Sequence, residues 1–449
     1  MQNIDFGIGG TRFRLFPQAP LLHPGRPPQV ITIAVPPGSI GPGPSDDRVY
    51  LIDPIGKYGP YGVSPGPYGT PHLDLPPWRG PIRRPVQPDA NGHFDHIPVG
   101  TPEFERAHVF GAIRYVLGIW EGYFGRPIEW HFERHFNRLE VVMLPDFDNA
   151  HVGYGFMEVG AAHLDDGTVE PFALNFDVIA HEFGHLIIYG TLGVPQPEAQ
   201  SAEYFGFQEA AADITALISA LHFDTMIDDL LAETSGNLYT FNELSRFAEI
   251  SANSQIRVAA NSVKLSAFTA GWDDEHLLSQ PLTGALFDIF IDMFQENLVG
   301  RGLISRNLAE LARVIEGNPG NEIRIQAAFD AAYPLAPYEF RDALTDARDT
   351  LGRLLAGTWQ RLSPDNFGFV DVGETLLAVD GVITGGHNQR EITDSFVWRE
   401  IGRVTIGPRL APPTTKSHAF SARTLIPEFR HQLPKMSYRE QMALARETR

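Results

Sequence analysis

The chain has no cysteine among its 449 residues, so disulfides and thiolate metal sites are excluded and any bound metal must be held by histidine and carboxylate side chains. Basic residues are also scarce, with 35 Lys and Arg against 55 Asp and Glu, and the net charge of −20 argues against binding nucleic acid or an anionic membrane. It favours neutral or basic peptides as partners instead. No apolar run approaches the length of a membrane span, and the opening Met1–Gly10 has neither a basic stretch nor an apolar one of the kind that begins a secretory signal. The expected location is therefore the cytoplasm, or outside the cell by a route without a classical signal peptide. What is present is 43% hydrophobic and 20% charged residues, a globular balance in a chain long enough to bury a large core.

Proline is unevenly spread. Just over half of the 36 prolines fall in the first 90 residues, including Pro27-Pro28, Pro36-Pro37, Pro76-Pro77 and a Tyr/Gly/Pro stretch from Tyr58 to Pro71. Such a segment cannot be a helical domain, but β-branched runs at Val30–Val35 and Arg48–Ile52 predict a few strands joined by turns. The arm either wraps on the rest of the chain or docks a partner. From Pro102 to Phe124, apolar residues recur with helical period and the pattern closes at Gly125-Arg-Pro127. Helical patterns dominate again from Asn242 to about Leu377. The last residues, from Met436, form a short amphipathic helix.

The segment Asn175 to Tyr189 carries the chemistry. His181 and His185 stand four apart inside an apolar frame, so on a helix both rings face one side and can share a metal ion, while Glu182 projects beside them toward a water on that metal. A buried helix seldom carries two histidines and a glutamate unless they are coordinated or paired. A catalytic zinc needs a third protein ligand. A further histidine six residues on is ruled out, because Ile188 and Thr191 occupy the positions where that spacing needs Gly and His. The alanine-rich stretch after Ser201 predicts a second helix with Glu209 and Asp213 on one face. Glu209 is the candidate ligand, and Asp213 could accept the second N–H of a zinc-bound histidine. Two other histidine pairs carry less. His131 and His135 follow Gly-Arg-Pro and run into the strand Leu139–Met143, and His93 and His96 read as surface or turn residues.

Two histidines on one helix followed by Glu-x-x-x-Asp on the next resembles the gluzincin metallopeptidases, in particular their thermolysin and fungalysin branch, over roughly residues 95 to 405. The resemblance implies an α+β, zincin-like catalytic domain of two lobes: a β-rich lobe with the active-site helix (95–195) and a mostly helical lobe (196–405). A Pro/Gly-rich arm (1–94) precedes it and a tail (406–449) follows. It implies that Asn149 and Ala150, in the edge strand Asp148–Tyr154, bind substrate backbone, and that His276, ahead of the helix from Leu282, stabilises the oxyanion with Asp273 or Asp274 orienting it. Tyr204 is the candidate for a second oxyanion donor, and Ile392–Gly402 looks like the final helix of such domains. Of the acidic residues that hold calcium in the family only Asp177 has a counterpart, so the resemblance implies one zinc per chain and leaves calcium open. The expectation is a zinc metallopeptidase, an endopeptidase acting on peptides or proteins with Glu182 as general base. A silent scaffold of the same shape, its cleft covered by the arm and acting by binding a partner, is the alternative. A zinc hydrolase of non-peptide amides is a third.

Overall fold

The computed structural model describes residues 9–57, 59–65, 71–163, 167–239, 246–251, 254–313, 319–410 and 436–447. Tyr58 and residues 66–70 of the Tyr/Gly/Pro stretch, and 411–435 of the tail, lie outside them. The protein is a mixed α+β structure. In chain order its elements are β1 (Thr11–Leu15), β2 (Gln29–Ile33), β3 (Val49–Ile52), β4 (Gly62–Pro65), β5 (Pro71–Asp74), α1 (Pro102–Phe124), β6 (Leu139–Met143), β7 (Ala150–Gly153), β8 (Phe156–Val159), β9 (Ala161–His163), β10 (Val169–Pro171), α2 (Phe176–Thr191), α3 (Ala202–Ala220) and α4 (Asp224–Thr234). Then follow β11 (Arg246–Ser251), β12 (Ser254–Val258), α5 (Glu275–Gly300), α6 (Arg306–Arg313), α7 (Pro319–Ala332), α8 (Pro337–Trp359), α9 (Phe369–Ile383), α10 (Gln389–Trp398) and α11 (Tyr438–Glu447). The β11–β12 pair interrupts a region whose sequence reads as helical, because Arg246–Ser251 and Ser254–Val258 pair antiparallel with each other.

Four strands form the central sheet in the order β3-β6-β8-β7. β3, β6 and β8 run parallel, and β7 returns antiparallel along β8, which leaves β7 at an edge. Val49, Leu51, Leu139, Val141, Met157 and Val159 join the large core with α1 and α2. The opposite face carries Glu140, Glu158 and a small separate core of Ile52, Tyr61, Val142 and Phe156. That alternation is the period-2 consequence of the pleat.

The N-terminal region covers this second face. Tyr61 donates its backbone N–H to Glu158 and its hydroxyl to Glu140, and the Trp78 N–H also goes to Glu140. Lys57, fully buried at its side chain, places Nζ 2.9 Å from Asp74, 3.3 Å from Glu158 and 3.8 Å from the centre of the Tyr61 ring. The buried carboxylates thus have a buried cation and several donors. Meanwhile β1 and β2 pair into a hairpin that stacks Phe13 on Phe94 and Phe110, the last from α1. β3 belongs to residues 1–94 yet pairs with β6, so the central sheet crosses the division placed at residue 95. His93 is buried, its Nδ1 accepting the Arg12 N–H, rather than lying on the surface.

Helix α1 begins and ends where its sequence signals lie. Thr101 caps it by accepting from the Phe104 N–H, Pro102 opens it, and Gly125 closes it at φ 66°, a left-handed conformation that suits glycine. Inside α1, His108 is wholly buried, and its Nε2 accepts the Phe16 N–H at 3.0 Å. Burial lowers the pKa of that imidazole to about 4. A histidine held neutral in the fold but free to protonate when unfolded favours folding above pH 6.5, and that contribution is lost as pH falls from 6.5 toward 4. His108→Gln keeps an acceptor but not the titration. Between pH 7 and 5 the wild type is expected to lose ~2 kcal/mol more stability than the variant in urea titrations, and parallel losses would show that His108 does not couple folding to pH.

Helices α3, α5, α8, α9 and α10 pack in succession beyond the sheet. α5 is long and apolar enough to span a bilayer by length and composition, but 83% of its apolar window is buried inside the protein, as in a core helix.

Candidate metal centre

Helix α2 starts at Asn175, whose side chain accepts from the Val178 N–H, and α3 starts at Ser201, which accepts from the Tyr204 N–H. These caps set the phase of both helices, so His181, His185, Glu209 and Asp213 meet between them. The helices can approach closely because small residues face each other: a Cβ on Gly184 would lie 3.0 Å from the Cα of Ala212 and 3.1 Å from the Cβ of Thr215. Both helices are buried almost all round, and the four polar side chains stand 9% exposed or less.

One ligand atom from each of His181, His185 and Glu209 lies within 4.8 Å of the others. The two Nε2 atoms are 3.1 Å apart, and they stand 3.4 and 3.6 Å from the Glu209 carboxylate oxygens. The far sides of both rings are held. His181 Nδ1 lies 3.0 Å from Asp213, and His185 Nδ1 lies 3.4 Å from the Gln208 amide oxygen. With Nδ1–H donated to these oxygens, each ring would present an Nε2 lone pair, the tautomer that binds a cation. The chain extends outward from there. Thr283 of α5 approaches Asp213 at 3.4 Å, Gln208 donates to the Tyr204 hydroxyl at 2.8 Å, and that hydroxyl donates to the Gly193 carbonyl at 2.7 Å. Two imidazoles and a carboxylate, with no sulfur, are the donors of a catalytic zinc site. A dication among them would also balance the two buried carboxylates. The residues present fit the metal.

The other candidates fall at different distances from this point. Glu182 is half-buried beside the ligands and makes no hydrogen bond or ion pair among the described residues. His276, in the first turn of α5, is half-exposed and brings Nδ1 to 2.7 Å from Glu209. Asp274 is the N-cap of α5, its carboxylate accepting the N–H groups of His276 and Leu277, and so it positions the backbone that carries the ring. Among the described residues no bond runs from Asp273 to the ring. Ala150 is buried in the edge strand β7, and the Asn149 carbonyl accepts the Gly160 N–H. Tyr204 is 3% exposed and its hydroxyl is engaged on the outer side of His185, with burial first and Tyr189 second pushing its pKa well above the usual value. It supports Gln208 rather than facing the space between the ligands. Asp177 lies in the first turn of α2.

Sequence reading missed Gln208. A signal existed, since it adjoins Glu209 and stands one helical turn after Tyr204, but an amide there is only meaningful once His185 is known to face it. Tyr189 was missed as well. It follows His185 by four residues, and burial, then the carboxylates of Glu209 and Glu182, raise its pKa.

No known family profile matches the chain, and no curated protein sequence matches it. Among solved structures it is similar to the precursor of protealysin, a metalloproteinase from Serratia proteamaculans. The identity is 14% and the TM-score 0.38, over 73% of this chain and 84% of that one. That likeness is coarse, and the metal centre stands on the side chains of this chain.

Proposed function

We propose that the protein is a zinc-dependent metallopeptidase with a thermolysin-like, two-lobed catalytic domain, residues 95–195 carrying the HExxH helix α2 and residues 196–405 the helical lobe. The observation that carries this reading is the convergence of His181, His185 and Glu209, with Asp213 and Gln208 behind the two rings. Zinc held by the three would supply Lewis acidity and make water acidic enough to lose a proton near neutral pH.

The residues divide the remaining work. Glu182, with no competing partner among the described residues, takes the proton of the attacking water on its carboxylate and returns it to the amine that leaves. His276 sits at the rim with Nδ1 on the Glu209 carboxylate, and as an imidazolium, in which both ring nitrogens carry a proton, it donates Nε2–H to the oxygen that becomes negative. β7, from Ala150, has no strand on its outer side among the described residues, and such an edge is a template that an extended peptide can join. Supported alternatives narrow accordingly. The described contacts of the N-terminal region include α1, the second face of the sheet and α4, which favours an arm wrapped on the domain over one that covers the ligands.

The test is hydrolysis of casein by the protein as prepared, after chelation, and after zinc is restored. Activity lost on chelation and recovered at one zinc per chain is the expected result. Casein cleavage that persists with the metal removed would rule the reading out.

A further inference from the structure

The C-terminal helix α11 is separated in sequence from the rest of the fold, but it docks beside the metal centre. Its start is locally encoded by a capping box, in which Ser437 accepts the Glu440 N–H and Glu440 accepts the Ser437 N–H. Tyr438 stacks on Tyr189 with ring centres 4.0 Å apart and planes 14° apart. It also meets the edge of Tyr154 at 5.5 Å, and its hydroxyl lies 3.2 Å from His131 Nδ1. One turn further, the Gln441 side-chain oxygen accepts the backbone N–H of Tyr154 at 2.8 Å. A Cβ on Gly153 would come within 2.4 Å of that same oxygen, so helix and strand end touch without a gap.

These contacts have a geometry in common. Tyr189 belongs to α2, the helix that carries His181 and His185 and forms the floor of the site. Gly153 ends β7, the edge strand that packs against α2, and Tyr154 follows it in the turn to β8. α11 therefore bridges α2 and the Gly153 end of β7. β7 has four residues, from Ala150 to Gly153, about 10 Å at the rise of an extended strand. An extended peptide paired with β7 has that length before it meets Gln441. The other side of the site has no corresponding helix among the described residues. Leu410 lies there instead, its N–H donating to the Trp272 carbonyl just before the His276 helix.

We infer that α11 is a specificity element: it closes the Gly153 end of the peptide-binding edge, so that hydrolysis is confined to bonds within about four residues of one terminus of the substrate, always the same one. This rests on the peptidase reading above and replaces unrestricted endopeptidase action with one-ended cleavage. Tyr438 and Gln441 are the residues that seat the element, and neither touches the metal ligands.

The experiment compares full-length wild type with full-length Tyr438→Ala/Gln441→Leu, and with Gln441→Leu alone in case the double variant is unstable. Cut positions in a mixture of peptides of varied length are read by mass spectrometry. Wild type is expected to cut near one terminus, and the variants to cut internally, with the share of internal cuts rising about ten-fold. Internal cutting by wild type, or cut positions unchanged in both variants, overturns the inference. If no form cleaves any peptide, the peptidase reading fails and the inference is decided by binding alone. Fluorescein-labelled casein peptides of roughly twelve residues should then bind the double variant about ten-fold more tightly than wild type, while peptides of roughly four residues bind both alike. Equal gains at both lengths, or none, overturn it.

Discussion

Glu182→Gln is expected to lower peptide turnover by about 10² to 10⁴-fold while the zinc content stays at one per chain. The amide has nearly the same shape and size as the carboxylate, so the packing of α2 is undisturbed, but it cannot accept a proton. The loss corresponds to about 2.7 to 5.4 kcal/mol of transition-state stabilisation. Glu182 can serve because nothing among the described residues competes for it, whereas the neighbouring carboxylates of Glu209 and Asp213 both lie against histidine rings. Rates and bound zinc should be measured on the same preparations, with a thermal melt as the check on folding. Equal cleavage by variant and wild type removes Glu182 from the chemistry. A variant that also loses its zinc shows instead that Glu182 supports the site.

Glu209→Ala and Asp213→Ala are expected to separate holding the metal from orienting its ligands. Without Glu209 only two protein ligands remain, and one-to-one zinc binding should disappear at micromolar concentrations. Without Asp213 all three ligands persist, but the His181 ring loses the acceptor 3.0 Å from its Nδ1, and affinity or activity should fall by about 10 to 100-fold. Both losses carry a stability signature, because zinc binds the folded chain: at a thousand times its dissociation constant it adds about 4 kcal/mol to the wild type. The zinc-dependent rise in melting temperature should vanish in Glu209→Ala and need more zinc in Asp213→Ala. An Asp213 variant indistinguishable from wild type in zinc titration would show that Gln208 and helix packing orient the rings unaided.

How legible the site was depended on whether a residue's role is local. His181, Glu182 and His185 share one helix, so their spacing predicts their convergence, and the ends of that helix are marked by Asn175. The same holds for Glu209 and Asp213 on α3 behind Ser201. The short amphipathic helix near the C-terminus is equally local, being started by its own capping box. Reading failed where a partner comes from far along the chain. Lys57 would pass for a surface lysine, yet it is enclosed by Asp74, Glu158 and Tyr61. His93 stands in a turn-rich segment and is buried because β1 lies against it. The β11–β12 pair escaped notice because strand pairing, unlike helix formation, depends on a second segment and leaves little periodic trace over five or six residues.

The sequence by itself determined the exclusion of thiolate sites, the helix that carries two histidines and a glutamate, and the identity of the acidic residues able to complete a metal site, because each depends on composition or on spacing within one helix. Only the tertiary structure decided that α2 and α3 approach closely at Gly184, that Gln208 rather than empty space lies behind His185, that Tyr204 is turned to Gly193, and that α11 seats against Tyr189 and Tyr154. Those outcomes depend on which surfaces are buried against each other, and the free energy of burial belongs to pairs of elements rather than to either sequence segment alone.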